Sequence, residues 1–294
     1  MIAQLITGLS SGAAYALVAV GVVLVFKCTR ALSIAQGEIG AFGFFLGLRW
    51  ADRGIPGLGW HLPRFGTFVL AVVMGAVVGL LVERFIMRPL VQRPPLDGLI
   101  ATLGVALFLA LLELQLFGTA QQLAPPAVGE WRVVLFGATL VSSRVVAILL
   151  TGAVALALYG FFTRTKFGLA VLATAANPDV ARILGVPVNK VYRFAWVAGC
   201  ALAGAAAALL GPAFGGIAPF DMTRFTLRAL GGAVIGGLDS IWGAIAGSLV
   251  IGLVEAIVGA NVAQGGADTV AVMVLVLGTL LVRPRGWLGA TAAA

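Results

Sequence analysis

Apolar stretches recur along the whole chain, at 4–26, 33–51, 65–87, 97–117, 142–163, 193–212, 222–237, 239–259 and 267–282. Most are near the ~20 residues that a helix needs to cross the hydrocarbon core of a bilayer. In lipid every backbone N–H and C=O must bond within the protein, which leaves helices as the spanning element for stretches of this length. The chain therefore reads as an all-α polytopic membrane protein with about eight to nine transmembrane helices, in one membrane domain covering 1–294. Only 10% of residues are charged and 61% are hydrophobic, whereas a soluble domain needs roughly 25% charged residues to cover its surface. Ile2 to Phe26 has no basic region ahead of it and no small-residue cleavage site, so it reads as a retained span rather than a signal peptide.

Two places are irregular. Residues 222–237 are few, include Arg224 and Arg228, and carry Gly231, Gly232 and Gly236; a short, broken or re-entrant helix is expected there. The stretch 27–38 is the second. Non-helical backbone at membrane depth is tolerated only where protein or a water-filled cavity covers it, so both point towards a pathway.

Orientation follows from the basic residues. With the N-terminus outside, the cytoplasmic loops hold Lys27, Arg30, Arg84, Arg88, Arg93, Arg164, Lys166, Arg182, Lys190, Arg193, Arg283 and Arg285. The exterior holds Arg49, Arg53, Arg64, Arg132, Arg144, Arg224 and Arg228. The excess favours N-outside and C-inside, provided that 222–237 crosses. Loop 118–141, with Pro125, Pro126, Glu130 and Trp131, is then external, and loop 164–192 is cytoplasmic with a short helix in it.

The formal net charge of +8 is accounted for by these loops. No Lys/Arg run is long enough to follow a phosphate backbone, so nucleic acid is not an expected partner. Cys28 and Cys200 lie far apart in apolar sequence and read as packing residues. His61 is the one histidine and has no acid or cysteine at metal spacing. None of the three lysines follows a glycine, so the chain has no P-loop, and no serine sits in a Gly-x-Ser-x-Gly turn. No cofactor or metal site is expected, and the chain does not read as an enzyme. Glycines four apart, Gly8/Gly12, Gly43/Gly47, Gly75/Gly79 and Gly243/Gly247, suit close helix packing.

Acids inside spans carry more information. Glu38, Glu113 and Glu255 fall in apolar sequence, where each costs about 2.5–3.5 kcal/mol or more unless paired, protonated or wet. Ser33-Ile34-Ala35-Gln36 has capping-box spacing, so a helix is expected to start at Ser33 with Glu38 in its early turns, where the helix dipole favours negative charge. Two readings fit Glu38: a helix start lining a solute path, together with Ser33, Gln36 and Gly37, or a polar cap neutralised by a neighbouring span or by Lys27 or Arg30. For Glu113 and Glu255, interhelical hydrogen bonding is expected. An intramembrane enzyme would use Glu38 and Glu255 as paired carboxylates; a self-sufficient secondary transporter or channel would need an ion site or constriction within one chain.

In loop 164–192, Gly168 and Ala170, Ala173, Ala175 and Ala176 lead to Asn177-Pro178-Asp179. Asn177 can cap a helix with Pro178 at its first position, and Gly185 can end it. Ala181 and Leu184 are expected on one face, as a ridge for another protein; an ordinary structured loop is the other reading.

That loop, with Gly168, Ala173, Asn177, Pro178, Ala181 and Gly185 at their spacing, resembles the coupling loop of the permeases of branched-chain amino acid ABC importers. So do Gly12–Gly21, Ser33–Glu38, Glu83-Arg84 with Arg88-Pro89-Leu90, Ile100–Gly104, Ala229–Ala244 with Gly252–Glu255, and Arg283–Gly289. The order of these pieces covers nearly the whole chain. The resemblance implies the shorter permease of a pair in a bacterial inner membrane, with a paralogous permease, two cytoplasmic ATPase subunits that bind ATP and Mg, and an extracytoplasmic solute-binding protein. It places 164–192 in a cleft of the ATPase and Ser33–Glu38 near the central path. Ser33 and Gln36 stand where the family usually has Asn and His, Leu169 and Leu172 where Arg is common, and Asp239 where Gly is usual. Branched-chain or other hydrophobic amino acids are the first expectation for cargo; urea, short amides and hydrophobic carboxylates are alternatives.

Overall fold

The computed structural model describes residues 2–54, 61–91, 93–123, 129, 132–135, 138–262, 265–284 and 286–288. Pro125, Pro126, Glu130, Trp131, Arg285 and Gly289 lie outside the described residues. The helices in order are α1 (Ile2–Thr29), α2 (Gln36–Arg53), α3 (Arg64–Val82), α4 (Arg88–Leu90), α5 (Pro95–Phe117), α6 (Ser142–Arg164), α7 (Lys166–Ala176), α8 (Pro178–Ile183), α9 (Val188–Ala213), α10 (Asp221–Gly236), α11 (Ile241–Asn261) and α12 (Ala267–Val282). Among the described residues, six helices are long and apolar enough to cross a membrane. Loop 118–141 contains something the sequence did not signal, an antiparallel hairpin of β1 (Arg132–Leu135) and β2 (Ala138–Val141) with Arg132 opposite Val141.

α1 is the axis of the bundle. It packs on α9, α10, α11 and α6, and from Ala13 to Val25 it is almost wholly buried. Its small residues allow this. A Cβ at Gly12 would lie 2.8 Å from the Leu249 Cα, and one at Gly8 2.8 Å from the Leu253 Cα, so α1 and α11 touch backbone to backbone. Close approach substitutes for a hydrophobic drive that lipid cannot provide between helices. By contrast α3, α5, α6 and α12 turn many Leu, Val and Phe side chains outward, as helices on the perimeter of a membrane bundle do.

α3 runs on through a π-helical turn, Glu83–Met87, into α4. Pro89 has no N–H to return to the Phe85 carbonyl, and the wider turn just before it takes up the break. The Arg88 N–H bonds to the Glu83 carbonyl, five residues back, as in a π-turn.

α10 is the short helix expected over 222–237. It is continuous over 16 residues, and it connects opposite ends of the bundle. Before it, Ile217 forms a β-bridge with Gln122, just beyond the end of α5. After it, Asp239 pairs with Arg30 at the end of α1, and Ala31 there lies beside Gly98 at the start of α5. At ~24 Å the helix is shorter than a hydrocarbon core of ~30 Å. α1 begins at the Gln122 end of the bundle and α12 finishes at the Arg30 end, where Trp287 N–H bonds to the Ile235 carbonyl.

Candidate functional site

Three groups of residues were singled out by the sequence, and they occupy three separate places. The first is the start of α2. Ser33 does not cap it: the helix begins at Gln36, the residue before it is Ala35 with no side-chain cap bond, and the Ser33 hydroxyl is buried without a hydrogen-bond partner. Ala35 already has right-handed helical φ and ψ (−67° and −11°), whereas a side-chain cap requires an extended residue at that point. The capping-box reading was therefore wrong.

Gln36 is fully buried. Its amide lies between α1 and α9, 2.9 Å from where a Cβ of Gly199 would be, and neither its oxygen nor its nitrogen has a hydrogen-bond partner. Gly37 abuts Thr226 of α10. Glu38 sits in the first turn of α2 and accepts a hydrogen bond from the Thr223 hydroxyl of α10. Glu113 of α5 comes up to the Glu38 carboxyl, with neither of its own oxygens hydrogen-bonded. Glu38, Glu113 and Thr223 thus form one polar cluster joining three helices. It is enclosed in this subunit, with Glu38 1% and Glu113 0% exposed.

The second place lies towards the Gln122 end. Arg228 Nη2 of α10 is 3.1 Å from Glu255 Oε1 of α11 and 3.4 Å from Asp268 Oδ2 of α12. Tyr15 of α1 donates its hydroxyl to the other Glu255 oxygen at 2.9 Å. Four helices therefore meet at one charge network, of which Arg228, Glu255 and Asp268 line a cavity of about 910 Å³ together with apolar Phe225, Val272, Met273 and Val276. Glu255 does bond between helices, as its burial in an apolar span requires. It does not pair with Glu38, so the two carboxylates of an intramembrane enzyme are not brought together. Arg228, Asp268 and Tyr15 were not recognised as its partners from sequence. The one available signal was an Arg and a Glu on consecutive glycine-rich spans, since an isolated charge in lipid demands a countercharge.

The third place is the segment 164–192 at the Arg30 end. It forms two helices rather than one. Thr165 caps α7 by accepting from the Gly168 N–H at 2.9 Å, and Gly168 packs on the Phe161 carbonyl. The Asn177 side chain caps α8, accepting from the N–H groups of Asp179 and Val180 at 3.0 and 3.1 Å, with Pro178 at the first helical position. Gly185 follows the helix at φ 82°, a left-handed conformation that disfavours side chains with a Cβ. The expected shared face of Ala181 and Leu184 does not exist. Ala181 is 1% exposed and packs inward with Val171 and Val188, while Ile183 is 85% exposed. Val180, Ile183 and Leu184, with Leu169, Leu172 and Ala173 of α7, form the outward apolar surface. Asp179 and Arg182, paired at 3.0 Å, flank it.

Among the described residues there is no group of His, Cys, Asp and Glu able to hold a metal ion. The two cysteines are buried and unpaired.

Residues 4–282 match the family model described as the permease component of branched-chain amino acid transport systems. The chain is 32% identical to the high-affinity branched-chain amino acid transport system permease protein LivH of Escherichia coli, over 97% of this chain and 94% of that protein. It is 32% identical to the permease protein BraD of Pseudomonas aeruginosa, over 97% and 95% of the two chains. A probable branched-chain amino acid transport permease of Methanocaldococcus jannaschii is 30% identical, over 93% and 88%. Among solved structures, PsaBC from Streptococcus pneumoniae in complex with a Fab has the same fold, with a TM-score of 0.53 at 15% identity over 97% of each chain.

Proposed function

The chain belongs to the permease-component family of branched-chain amino acid transport systems, and from that premise we propose that it forms half of the translocation path of an ATP-driven amino acid importer. It is an integral membrane transport subunit and not an enzyme. Branched-chain or other hydrophobic amino acids are its cargo. It sits in the cytoplasmic membrane with the N-terminus outside, next to a paralogous permease. Two cytoplasmic ATPase subunits, loaded with ATP and Mg, supply the energy, and an extracytoplasmic binding protein delivers the solute.

The observation that carries this reading is the outward apolar surface of α7 and α8. Ile183 and Leu184 face away from the bundle on a helix held by a side-chain cap, a proline start and a glycine stop. Water disfavours such a surface, and exposed apolar patches mark sites of protein contact. It lies at the end that carries Arg30, Arg88, Arg182 and Arg193, the end that the distribution of Lys and Arg assigns to the cytoplasm. A motor subunit seated there can pull on α6 and α9 through α7 and α8.

Ser33, Gln36, Gly37 and Glu38 remain the proposed central-path segment, reached through movement of α2 against α5 and α10. Gly168, Ala173, Asn177, Pro178, Ala181 and Gly185 shape the coupling segment, with Ala181 anchoring it from within.

The test is reconstitution of the chain in liposomes with its partner permease, ATPases and binding protein. Uptake of L-leucine that requires ATP and all partners is the expected result. Gradient-driven uptake by this chain alone would overturn the proposal in favour of a secondary transporter, and ATP-driven uptake of urea without leucine would overturn the cargo.

A further inference from the structure

Arg228 spends a single nitrogen on two carboxylates. Its Nη2 serves both Glu255 and Asp268, although a guanidinium has five N–H donors. Glu255 is engaged on both oxygens, by Arg228 and by Tyr15. Asp268 makes the longer of the two contacts and is the more exposed partner, at 28%. The Arg228–Asp268 contact is therefore the one that a solute in the cavity can open.

Opening it sets a strict condition. A charge left unpaired in a poorly solvated site costs several kcal/mol. A neutral amide entering between Arg228 and Asp268 leaves Arg228 on Glu255 and strands Asp268. A simple carboxylate pairs with Arg228 and strands Asp268. A zwitterion with carboxylate and ammonium on neighbouring atoms re-pairs both, and leaves the Glu255–Tyr15 support in place. The apolar part of the lining, Phe225 of α10 with Val272, Met273 and Val276 of α12, receives an apolar side chain. The volume of about 910 Å³ falls within the ~300–1,000 Å³ of small-molecule sites.

Resting on the amino acid importer reading above, we infer that this cavity is a transit site for a zwitterionic amino acid, whose carboxylate binds Arg228, whose ammonium binds Asp268 and whose side chain lies against α12. Charge re-pairing at Arg228 and Asp268 selects amino acids over amides and simple carboxylates.

The experiment introduces Thr269→Cys, at a position lining the cavity, into the assembled importer. Both native cysteines of this chain are buried, so maleimide labelling of this subunit, resolved from its partners on a gel, reports on residue 269. L-leucine near saturation is expected to slow labelling about tenfold. 4-Methylpentanamide and 4-methylpentanoate, which both lack an ammonium for Asp268, are expected to leave the rate within about twofold of the unliganded value. Equal protection by all three, protection by none, or a residue 269 that never labels because a partner covers it would each overturn the inference. ATP-driven leucine uptake is measured on the same vesicles. Uptake without protection removes this site and leaves the function standing; no uptake of leucine by the wild-type complex removes the functional reading and the inference with it.

Discussion

Arg30, in a left-handed turn at the end of α1 (φ 55°), pairs at 3.0 Å with Asp239 in the turn that joins α10 to α11. The same guanidinium donates to the Ala175 carbonyl of α7 at 3.4 Å. One side chain thus ties the axial helix both to the α10–α11 hairpin and to the coupling segment.

Both side chains of that pair are about half exposed, and exposed ion pairs contribute about 0–1 kcal/mol. Asp239→Gly is therefore expected to lower the unfolding midpoint in detergent only slightly at low salt, and not at all at high salt. A large loss of stability that persists in salt would mean that Asp239 shapes the turn itself.

The Arg228–Glu255 pair is a different case, because both side chains are mostly buried. Removing one partner strands the other, at a cost of about 3–5 kcal/mol. Arg228→Met and Glu255→Gln are each expected to reduce folded protein sharply, with the double variant recovering part of the loss. Tyr15→Phe loses one hydrogen bond to a charged group, about 1.5–3 kcal/mol. A thermal-unfolding double-mutant cycle on the purified permease pair tests this; additive losses would show that the two residues stabilise independently.

The spans were legible because their signal is one of length and apolarity, which the bilayer imposes on each helix separately. α1, α5, α6 and α11 begin and end within a few residues of the expected limits. The Asn177-Pro178 helix start was legible for a similar reason, since the residues that make a cap are adjacent in sequence. Ser33 failed because a capping pattern does not say whether the residue before the helix is extended, and here Ala35 is already helical. Partnerships across the bundle, such as Tyr15 with Glu255, depend on which helices become neighbours, and spacing along the chain carries no record of that. The face of Ala181 was misjudged because α8 makes fewer than two turns, too few for periodicity to separate inside from outside.

Close packing of α1 on α11 gives a third expectation. A side chain at Gly12 meets the Leu249 Cα and the Ser248 carbonyl oxygen, each 2.8 Å from its Cβ, and backbone cannot swing aside as a flexible side chain can. Gly12→Leu is expected to cost more than the ~1–3 kcal/mol of ordinary overpacking and to reduce the yield of folded subunit in membranes. Gly104→Leu, on a helix face with nothing within 4 Å, is the matched control and should express at the wild-type level. Equal yields for the two would show that α1 and α11 can separate without loss.

The coupling segment gives the last. Ile183 is 85% exposed and Ala181 only 1%, so the same substitution at these two positions should fail for opposite reasons. Asp at 183 touches little within the subunit, and exposed substitutions usually shift stability by within about 0.5 kcal/mol. Asp at 181 places a carboxylate among Val171, Val188 and Tyr192, at a cost of several kcal/mol for an unpaired buried charge. Ile183→Asp is accordingly expected to yield normal amounts of permease pair that no longer retains the ATPase on a column, or retains it without converting hydrolysis into uptake. Ala181→Asp should instead reduce the yield of folded protein. Quantifying subunit yield and ATPase retention side by side separates the two. Normal coupling in Ile183→Asp, with its charge on the most exposed apolar residue of α8, would mean that the motor grips the permease somewhere else.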